Sequence, residues 1–197
     1  MQLDIEVSRL EVLKAGYQSE YFALEDKITK DLPVQLKNTE ERIAGYVADI
    51  TVHEQHKPAK EKDGKSRFAG MTVNGTLYTD KEKAGDALLQ ACEGMINEEP
   101  SLIGEYIGFP MELAILKQYT EFAITLKGQL SHTAYLGTDK IGNITRLNNV
   151  LENMSNHLEA ENIELNGLKK ELENAQHLKI PFEKEGELQQ GKYPRGD

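Results

Sequence analysis

The sequence has few of the residues that mark secreted or membrane-spanning proteins. It contains one cysteine, Cys92, and no tryptophan. A single cysteine rules out a disulfide within the chain and is typical of a reducing compartment, where we expect Cys92 to be a buried structural thiol. No run of about 18 apolar residues occurs, so no membrane span is expected. The N-terminal residues are charged and amphipathic, unlike a signal peptide, and we expect a cytoplasmic protein without membrane contact.

Basic residues are scarce relative to acidic ones. Lysine and arginine number 23 against 33 aspartates and glutamates, which gives a net charge of −10. Because affinity for nucleic-acid phosphates comes mainly from Lys and Arg, generic nucleic-acid binding is not expected. Two alternatives stay open: a local basic patch, or carboxylates that mimic nucleic acid.

The sequence also lacks the common catalytic motifs. It has no nucleophile elbow and no Gly-rich dinucleotide turn. Residues 64–66 read Gly-Lys-Ser, the end of a phosphate loop, but Ala59 occupies the position of the required first glycine. A helix is predicted before this segment and a strand after it, the reverse of a phosphate loop. We interpret residues 57–66 as a solvated connector.

Isolated histidines and carboxylates give no recognisable site. His53 and His56 lie three residues apart, whereas zinc ligands on a helix usually lie four apart with further ligands elsewhere. Three carboxylates of the predicted sheet offer a nuclease alternative, but we interpret them as outward polar positions of strands: Glu105, Glu112 and Glu121. We therefore predict that the chain is not an enzyme, with no catalytic, cofactor-binding or metal-binding residues and no cofactor.

A heptad pattern dominates the C-terminal third of the chain. One apolar track recurs every seventh residue, at Ile144, Leu151, Leu158, Leu165 and Leu172. A second track contains Leu147, Met154, Leu168 and Ala175 and is interrupted only by Glu161. Such a narrow, regular apolar seam predicts a coiled-coil helix that needs a partner helix.

The N-terminal region carries a matching seam. Its apolar positions are Leu3, Val7, Leu10, Tyr17, Tyr21, Leu24 and Ile28, and Lys14 interrupts them. If the two helices run antiparallel with Lys14 opposite Glu161, all the remaining layers pair one seam residue with another, from Leu3 with Leu172 to Ile28 with Leu147. A polar pair within a seam fixes register at some cost in stability. We predict Lys14 and Glu161 as the structural register pair.

The helix is expected to continue beyond this seam. Successive four-residue steps at Ile28, Leu32 and Leu36 indicate a stutter, and Pro33 would kink or restart the helix there. Further apolar positions, among them Tyr46 and Ile50, are expected to lie against the central sheet.

Between the long helices the sequence predicts strands and one short helix. Asn74-Gly75 between two β-prone runs is a strong two-residue hairpin signal. The capping-box pattern at residues 79–82 begins a helix expected to end near Asn97. Four β-prone runs follow, at 102–109, 111–116, 119–127 and 130–136, with Pro110 between the first two. Strands between helices with short turns imply an antiparallel sheet in an α+β fold.

The predicted organisation has four parts. Residues 1–57 form a long helix kinked near Pro33, residues 67–137 an antiparallel sheet with helix 80–97, residues 140–178 a long coiled-coil helix, and residues 179–197 an extended tail. The fold class is α+β, with terminal helices in an antiparallel coiled coil that flank a small sheet. Whether the coiled coil closes within one chain or swaps between two is left open, so a monomer and a coiled-coil dimer are both compatible.

Several segments resemble one known group of proteins. They lie at residues 13–26 (LKAGYQSEYFALED), 71–92 (MTVNGTLYTDKEKAGDALLQAC), 102–109 (LIGEYIGF), 136–154 (LGTDKIGNITRLNNVLENM) and 181–188 (PFEKEGEL). Together they resemble the C-terminal, non-catalytic region of large proteins that join an SNF2-type helicase to an N6-adenine DNA methyltransferase. Those proteins are carried by conjugative elements, plasmids and phages. The catalytic motifs of both enzymes are missing from this sequence.

The resemblance implies a non-catalytic interaction module of a mobile genetic element, related to helicase–methyltransferase and anti-restriction systems. A protein partner is expected, either mobile-element machinery or a host defence nuclease, and nucleic acid would be bound directly or through that partner. The alternative is a stand-alone acidic inhibitor of a defence nuclease, of the anti-CRISPR or anti-restriction kind, in which carboxylates replace phosphates.

Overall fold

The fold combines long helices with one antiparallel sheet. In the computed structural model, residues 2–59, 67–96, 99–116 and 121–191 are described. The chain divides into two compact units, one formed by residues 42–161 and the other by the segments before and after that range. The predicted α+β class is confirmed.

The secondary-structure elements begin with three consecutive helical segments. Helix α1 spans Gln2–Asp26, a π-helical segment spans Lys27–Asp31, and α2 spans Leu32–His56. The middle of the chain contains β1 (Met71–Val73), β2 (Thr76–Tyr78), α3 (Lys81–Glu93), β3 (Ser101–Tyr106), β4 (Phe109–Leu116), β5 (Glu121–Lys127) and β6 (Ser131–Tyr135). Helices α4 (Lys140–Glu152) and α5 (Met154–Gly191) follow.

The strands form a single sheet with one buried and one solvent-facing side. Their order is β2-β1-β3-β4-β5-β6, and each neighbouring pair is antiparallel, so β2 and β6 are the edges. The buried side packs against α3 and α4 around Phe109, Met111 and Ile124. Alternate residues such as Thr133 face solvent, as expected for an antiparallel sheet covered on one side.

Two hairpins turn through pairs of residues with positive φ. Asn74 and Gly75, with φ of 48° and 78°, join β1 to β2 as predicted. Ile107 and Gly108, with φ of 48° and 77°, join β3 to β4, where the sequence interpretation placed the break at Pro110. Left-handed backbone is unusual for a β-branched residue. The Ile107 side chain is buried in the core, and that burial offsets the cost of its backbone conformation.

Pro110 lies inside β4 because its missing N–H is not needed there. It pairs with Glu105 of β3, and the first β4 residue paired with β5 is Met111. In a two-residue hairpin the pair next to the closing pair is not hydrogen-bonded, so the nitrogen of Pro110 points away from β3. The proline therefore removes no donor from the ladder.

Helix α3 begins one residue later than the capping-box pattern predicts. Its N-cap is Asp80, whose side chain accepts a hydrogen bond from the Lys83 N–H at 2.9 Å. A carboxylate at this position satisfies one of the free N–H groups of the first turn. The helix ends at Glu93 with Gly94 as its C-cap, short of the expected end near Asn97.

The predicted irregularity near Pro33 is a π-helical segment. The Leu32 N–H donates to the Lys27 carbonyl five residues earlier, and α2 begins at that leucine. A four-residue step on an α-helix exceeds its 3.6-residue turn and rotates the apolar position by about 40°. A π turn holds more residues, so it reverses part of this drift. Leu24, Ile28, Leu32 and Leu36 consequently share one apolar cluster.

In the unit built from the terminal segments, α5 packs antiparallel to the helical residues 24–36. Leu32, Leu168 and Ala175 are buried together, with Leu172 against them. Two ion pairs flank this cluster: Lys27 with Glu171 at 2.7 Å, and Lys179 with Glu25 at 3.5 Å. Glu25 precedes Lys27 in the sequence, whereas its partner Lys179 follows Glu171, so the two helices run in opposite directions.

This register differs from the predicted one. Glu161 forms an ion pair with Arg42, at 2.8 Å between Oε2 and Nη2, and Lys14 is exposed. Ile28, predicted opposite Leu147, instead lies in the cluster around Leu168, while Leu147 is buried in the sheet core. The expected contact of Tyr46 and Ile50 with the sheet core is found, whereas Leu32 and Leu36 pack against α5.

The C-terminal helix also departs from the prediction. The single helix expected at 140–178 is two helices, and Asn153 separates them as the C-cap of α4. The tail predicted as extended from residue 179 is helical through Gly191, and residues 192–197 lie outside the described part. The same holds for most of the connector at 57–66, including its Gly-Lys-Ser segment. In the described ranges, no helix is long and apolar enough to cross a membrane.

Candidate functional site

A buried carboxylate lies at the centre of the sheet-containing unit. Asp49 of α2 is 1% exposed. Its Oδ1 accepts the Gln129 N–H at 2.7 Å, and its Oδ2 accepts the Leu130 N–H at 2.9 Å. These residues form the turn between β5 and β6, so Asp49 fixes that turn against α2. A Cβ at Gly128 would lie 2.3 Å from Oδ1, so this position requires glycine.

His132 of β6 completes this polar centre. Its Nε2 lies 2.8 Å from Asp49 Oδ2, and its ring packs between those of Tyr46 and Phe109. On a strand, neighbouring residues point to opposite faces. Ser131 and Thr133 therefore project away from the imidazole, and neither hydroxyl completes a Ser-His-Asp arrangement with Asp49.

A first cleft in this unit opens beside the free edge of β6. Its volume is about 720 Å³. The lining comes from α2, β6 and the junction of α4 with α5: Tyr46, Ser131, His132, Thr133, Asn149, Val150, Glu152, Asn153, Asn156 and His157. Amides, hydroxyls and aromatic rings dominate, and Glu152 is the only carboxylate among these residues. Such a surface suits a neutral or basic ligand that exchanges hydrogen bonds.

Aromatic and amide contacts order the helical wall of this cleft. Tyr46 stacks on His157 with centroids 5.8 Å apart, and its pKa is raised chiefly by burial and secondly by Glu161. The Asn153 amide lies 3.0 Å from His157 Nε2, and Asn156 donates to Asn153 Oδ1 at 2.7 Å. The wall is therefore held in place before any ligand arrives.

A second cleft, of about 620 Å³, lies where α2 meets the β3–β4 turn and α4. His53 lines it with 9% exposure, and its imidazole has no hydrogen-bond partner among the described residues. Burial lowers the pKa of His53, and Lys57 lowers it further. Tyr106 donates to Asn148 Oδ1 at 2.7 Å, and burial raises the pKa of that phenol to about 12.

The structure does not gather the candidates that the sequence singled out. His53 faces the second cleft, whereas His56 Nδ1 lies 2.8 Å from the Val52 carbonyl. Glu112 is paired with Lys127 at 2.9 Å on the solvent side of the sheet, and Glu105 and Glu121 are exposed. Within the described residues, no three His, Cys, Asp or Glu side chains are grouped as metal ligands.

Cys92 lies in the core as a free thiol. It is buried among the apolar residues of α3 and the sheet. Burial raises its pKa to about 11, so the thiol stays protonated at neutral pH. This is the environment of a structural cysteine and not of a nucleophile.

Sequence reasoning did not single out Asp49 or His132, and it expected Tyr46 only as an apolar contact with the sheet. Each lies in an amphipathic segment where a single polar or aromatic residue carries no local signature. The signal that was available is Asp49 itself, a carboxylate on the apolar side of α2 between Tyr46 and Ile50. A carboxylate placed there must be paired or hydrogen-bonded when it is buried.

Comparison with known proteins identifies no relative of the chain. No protein-family model matches the chain, and neither a curated protein nor a solved structure matches it.

Proposed function

We propose that this chain is a non-catalytic interaction module of a mobile genetic element, acting beside a helicase–methyltransferase system in the cytoplasm. The proposal rests on one observation: buried polar side chains of the sheet-containing unit bind backbone groups of its turns. Asp49 binds two backbone N–H groups of a turn, and buried Asn143 exchanges two hydrogen bonds with Gly137. These groups hold the fold together, and the exposed surfaces are left for partners.

The terminal segments in this proposal form an antiparallel coiled coil. Support comes from the cluster of Leu32, Leu168 and Ala175, bordered by the ion pairs of Lys27 and Lys179. The Lys179 ammonium also lies 5.7 Å from the ring centroid of Tyr21. An apolar seam with flanking charge pairs is the usual composition of such helices. Whether two chains exchange these helices is decided by measuring the mass of the protein in solution.

The partner in this proposal is a protein. The net charge of −10 disfavours direct contact with a phosphate backbone, so DNA would be reached mainly through that partner. The resemblance to helicase–methyltransferase proteins supports mobile-element machinery as the partner.

The net charge also supports a second candidate function, inhibition of a host defence nuclease. Exposed carboxylates recur along α5 at Glu159, Glu164 and Glu173. Exposed carboxylates can occupy a basic nucleic-acid channel in place of phosphates. Changing all three to glutamine should abolish binding to a nuclease if the chain acts as a nucleic-acid mimic, and should leave binding to mobile-element proteins unchanged.

The deciding experiment is affinity purification of the tagged chain from lysate of the host, with and without nuclease treatment, followed by mass spectrometry. We expect helicase, methyltransferase or conjugation proteins that are retained after nuclease treatment. Recovery of a CRISPR or restriction nuclease instead would establish the inhibitor function. Recovery of DNA alone, lost on nuclease treatment, would contradict a protein partner.

A further inference from the structure

We propose that the free edge of β6 binds an extended peptide of a partner protein, which adds a seventh strand to the sheet. This inference rests on the proposed function as an interaction module and identifies one surface through which it would act. The surface consists of Ser131, Thr133 and Tyr135 on the edge of the sheet, together with the first cleft beside them.

The hydrogen-bonding direction of β6 follows from its register with β5. Gly128 N–H donates to Leu130 O, and Leu136 N–H donates to Phe122 O, so the even-numbered residues of β6 point their backbone groups toward β5. In an antiparallel pair these directions alternate. The N–H and C=O groups of Ser131, Thr133 and Tyr135 therefore point outward, and no hydrogen bond to them is found within the described part of the chain.

The first cleft lies along this edge and not on one face of the sheet. Its lining includes His132, whose side chain points into the core, and Ser131 and Thr133, whose side chains point to the solvent side. Consecutive residues of a strand line the same cavity only where that cavity borders the backbone. The cleft is thus bounded by unpaired strand backbone on one side and by the α4–α5 junction on the other.

This geometry selects the backbone conformation of the ligand. Outward N–H and C=O groups repeat every second residue, a spacing that an extended chain matches and a helix does not. The partner is therefore an extended segment of another protein.

The lining also selects the side chains of that segment. The peptide residues nearest the helical wall would contact Tyr46, Asn149 and Glu152. Glu152 is the only carboxylate of this lining, and the lining contains no lysine or arginine, so acidic peptides are disfavoured. We expect a peptide that is neutral or basic at alternate positions, with a polar or aromatic side chain facing the cleft.

The probe is a display library of random peptides of about ten residues, the upper length of ordinary strands. Selected peptides are measured against the full chain and against Thr133→Pro, which removes one outward N–H and leaves the β5 ladder intact. We expect Thr133→Pro to weaken binding at least about tenfold, because a donor is lost and the proline ring blocks the edge. Thr133→Val keeps the N–H and should bind as the parent does.

The opposite edge supplies a second control. Leu77 of β2 is paired with Thr72 next to a two-residue turn, so its N–H also points outward, and Leu77 does not line the first cleft. Leu77→Pro should leave peptide binding unchanged. Amide hydrogen exchange of the parent chain, measured with and without bound peptide, is a test that needs no variant. Bound peptide should slow the exchange at Ser131, Thr133 and Tyr135.

Three results would overturn the proposal: no peptide selected, equal binding by Thr133→Pro and Thr133→Val, or protection of amides elsewhere. Dimerisation abolished by Thr133→Pro would likewise replace it with self-association of the edge. The proposed function is tested separately, because host partners recovered equally by the parent and Thr133→Pro would leave the interaction module standing and refute only this surface.

Discussion

Asp49 holds a turn that lies 80 residues further along the chain. Replacing it with alanine removes the acceptor of two backbone N–H groups and of the His132 imidazole. Each buried donor left without an acceptor costs about 1–3 kcal/mol. We therefore expect Asp49→Ala to lower the free energy of unfolding by about 3 kcal/mol, measured by urea unfolding with circular dichroism.

Asp80→Ala is the matched control for this change. Asp80 is exposed, and its side chain accepts one hydrogen bond, from the Lys83 N–H at the start of α3. Loss of such an N-cap costs about 1 kcal/mol. Equal losses in the two variants would mean that the buried contacts of Asp49 add nothing to those of an ordinary cap.

His53 makes stability depend on pH. Its pKa is lowered in the folded protein by burial and by Lys57, against weaker opposing effects of Glu54 and Glu152. The unfolded chain therefore binds more protons than the folded chain near and below the unperturbed histidine pKa of about 6.5. Stability is full above that pH and is lost as pH falls through it.

The corresponding variant is His53→Gln, which does not titrate. Between pH 7.5 and pH 5 its free energy of unfolding should fall less than that of the parent, in parallel urea titrations. His177 is exposed on α5, and His177→Gln is the control for removing a histidine from the surface. A parent curve that matches the His53→Gln curve would assign the pH dependence to other groups.

At the scale of elements, the turn at Asn74-Gly75 was predicted correctly, whereas the pairing of the long helices was not. Asn74-Gly75 predicts its turn because both residues favour left-handed backbone. Ile107-Gly108 forms the same turn, yet isoleucine gives no such signal, since the burial of its side chain decides the conformation. The bonds from Asp49 to Gln129 and Leu130 join distant segments, and no local pattern encodes them.

The predicted register of the helices differs from the observed one for a related reason. Lys14 and Glu161 each interrupt a seam, so one alignment of the two seams makes them opposite and satisfies every other layer. The stutter at Ile28, Leu32 and Leu36 was visible in the sequence, but its effect on the register depends on the π turn that keeps these residues on one face. The folded chain satisfies Glu161 with a basic residue outside the seam, Arg42.

The pair of Arg42 and Glu161 joins α2 to α5 within the sheet-containing unit. It has two contacts, Nε to Oε1 at 2.9 Å and Nη2 to Oε2 at 2.8 Å. Because the arginine is 44% exposed, solvent screens the pair, and we expect Arg42→Glu to cost about 1 kcal/mol. The exchange Arg42→Glu with Glu161→Arg should recover most of that loss.

Thermal melting of these variants at low and high salt measures the contribution of the pair to stability. High salt should reduce the stability difference between parent and variant, because it screens the two charges. The same double-mutant cycle with Lys14→Glu and Glu161→Lys tests the register predicted from the seams. We expect no coupling between those two positions beyond about 0.5 kcal/mol. Coupling at Lys14 and none at Arg42 would restore the predicted register.

At the scale of the whole molecule, the two units differ in how much apolar surface they bury. The sheet unit has a continuous core built from the strands, α3 and α4. The unit formed by the terminal segments has a small cluster around Leu32, Leu168 and Ala175, and residues 11–20 of α1 are exposed. Segments with few buried contacts open more readily than the core, so amide exchange should be faster in α1 than in β4.

Leu168→Ala tests whether the units open independently. Truncating this buried leucine, which is 5% exposed, should cost about 2–5 kcal/mol. If the units open separately, amides of residues 24–36 and 165–175 should exchange faster in the variant, while those of β4 and β5 keep the parent's rates. Leu165→Ala, at a half-buried position of the same helix, is the milder control. Acceleration of exchange throughout β4 and β5 by Leu168→Ala would instead show one cooperative molecule, in which the terminal helices and the sheet unfold together.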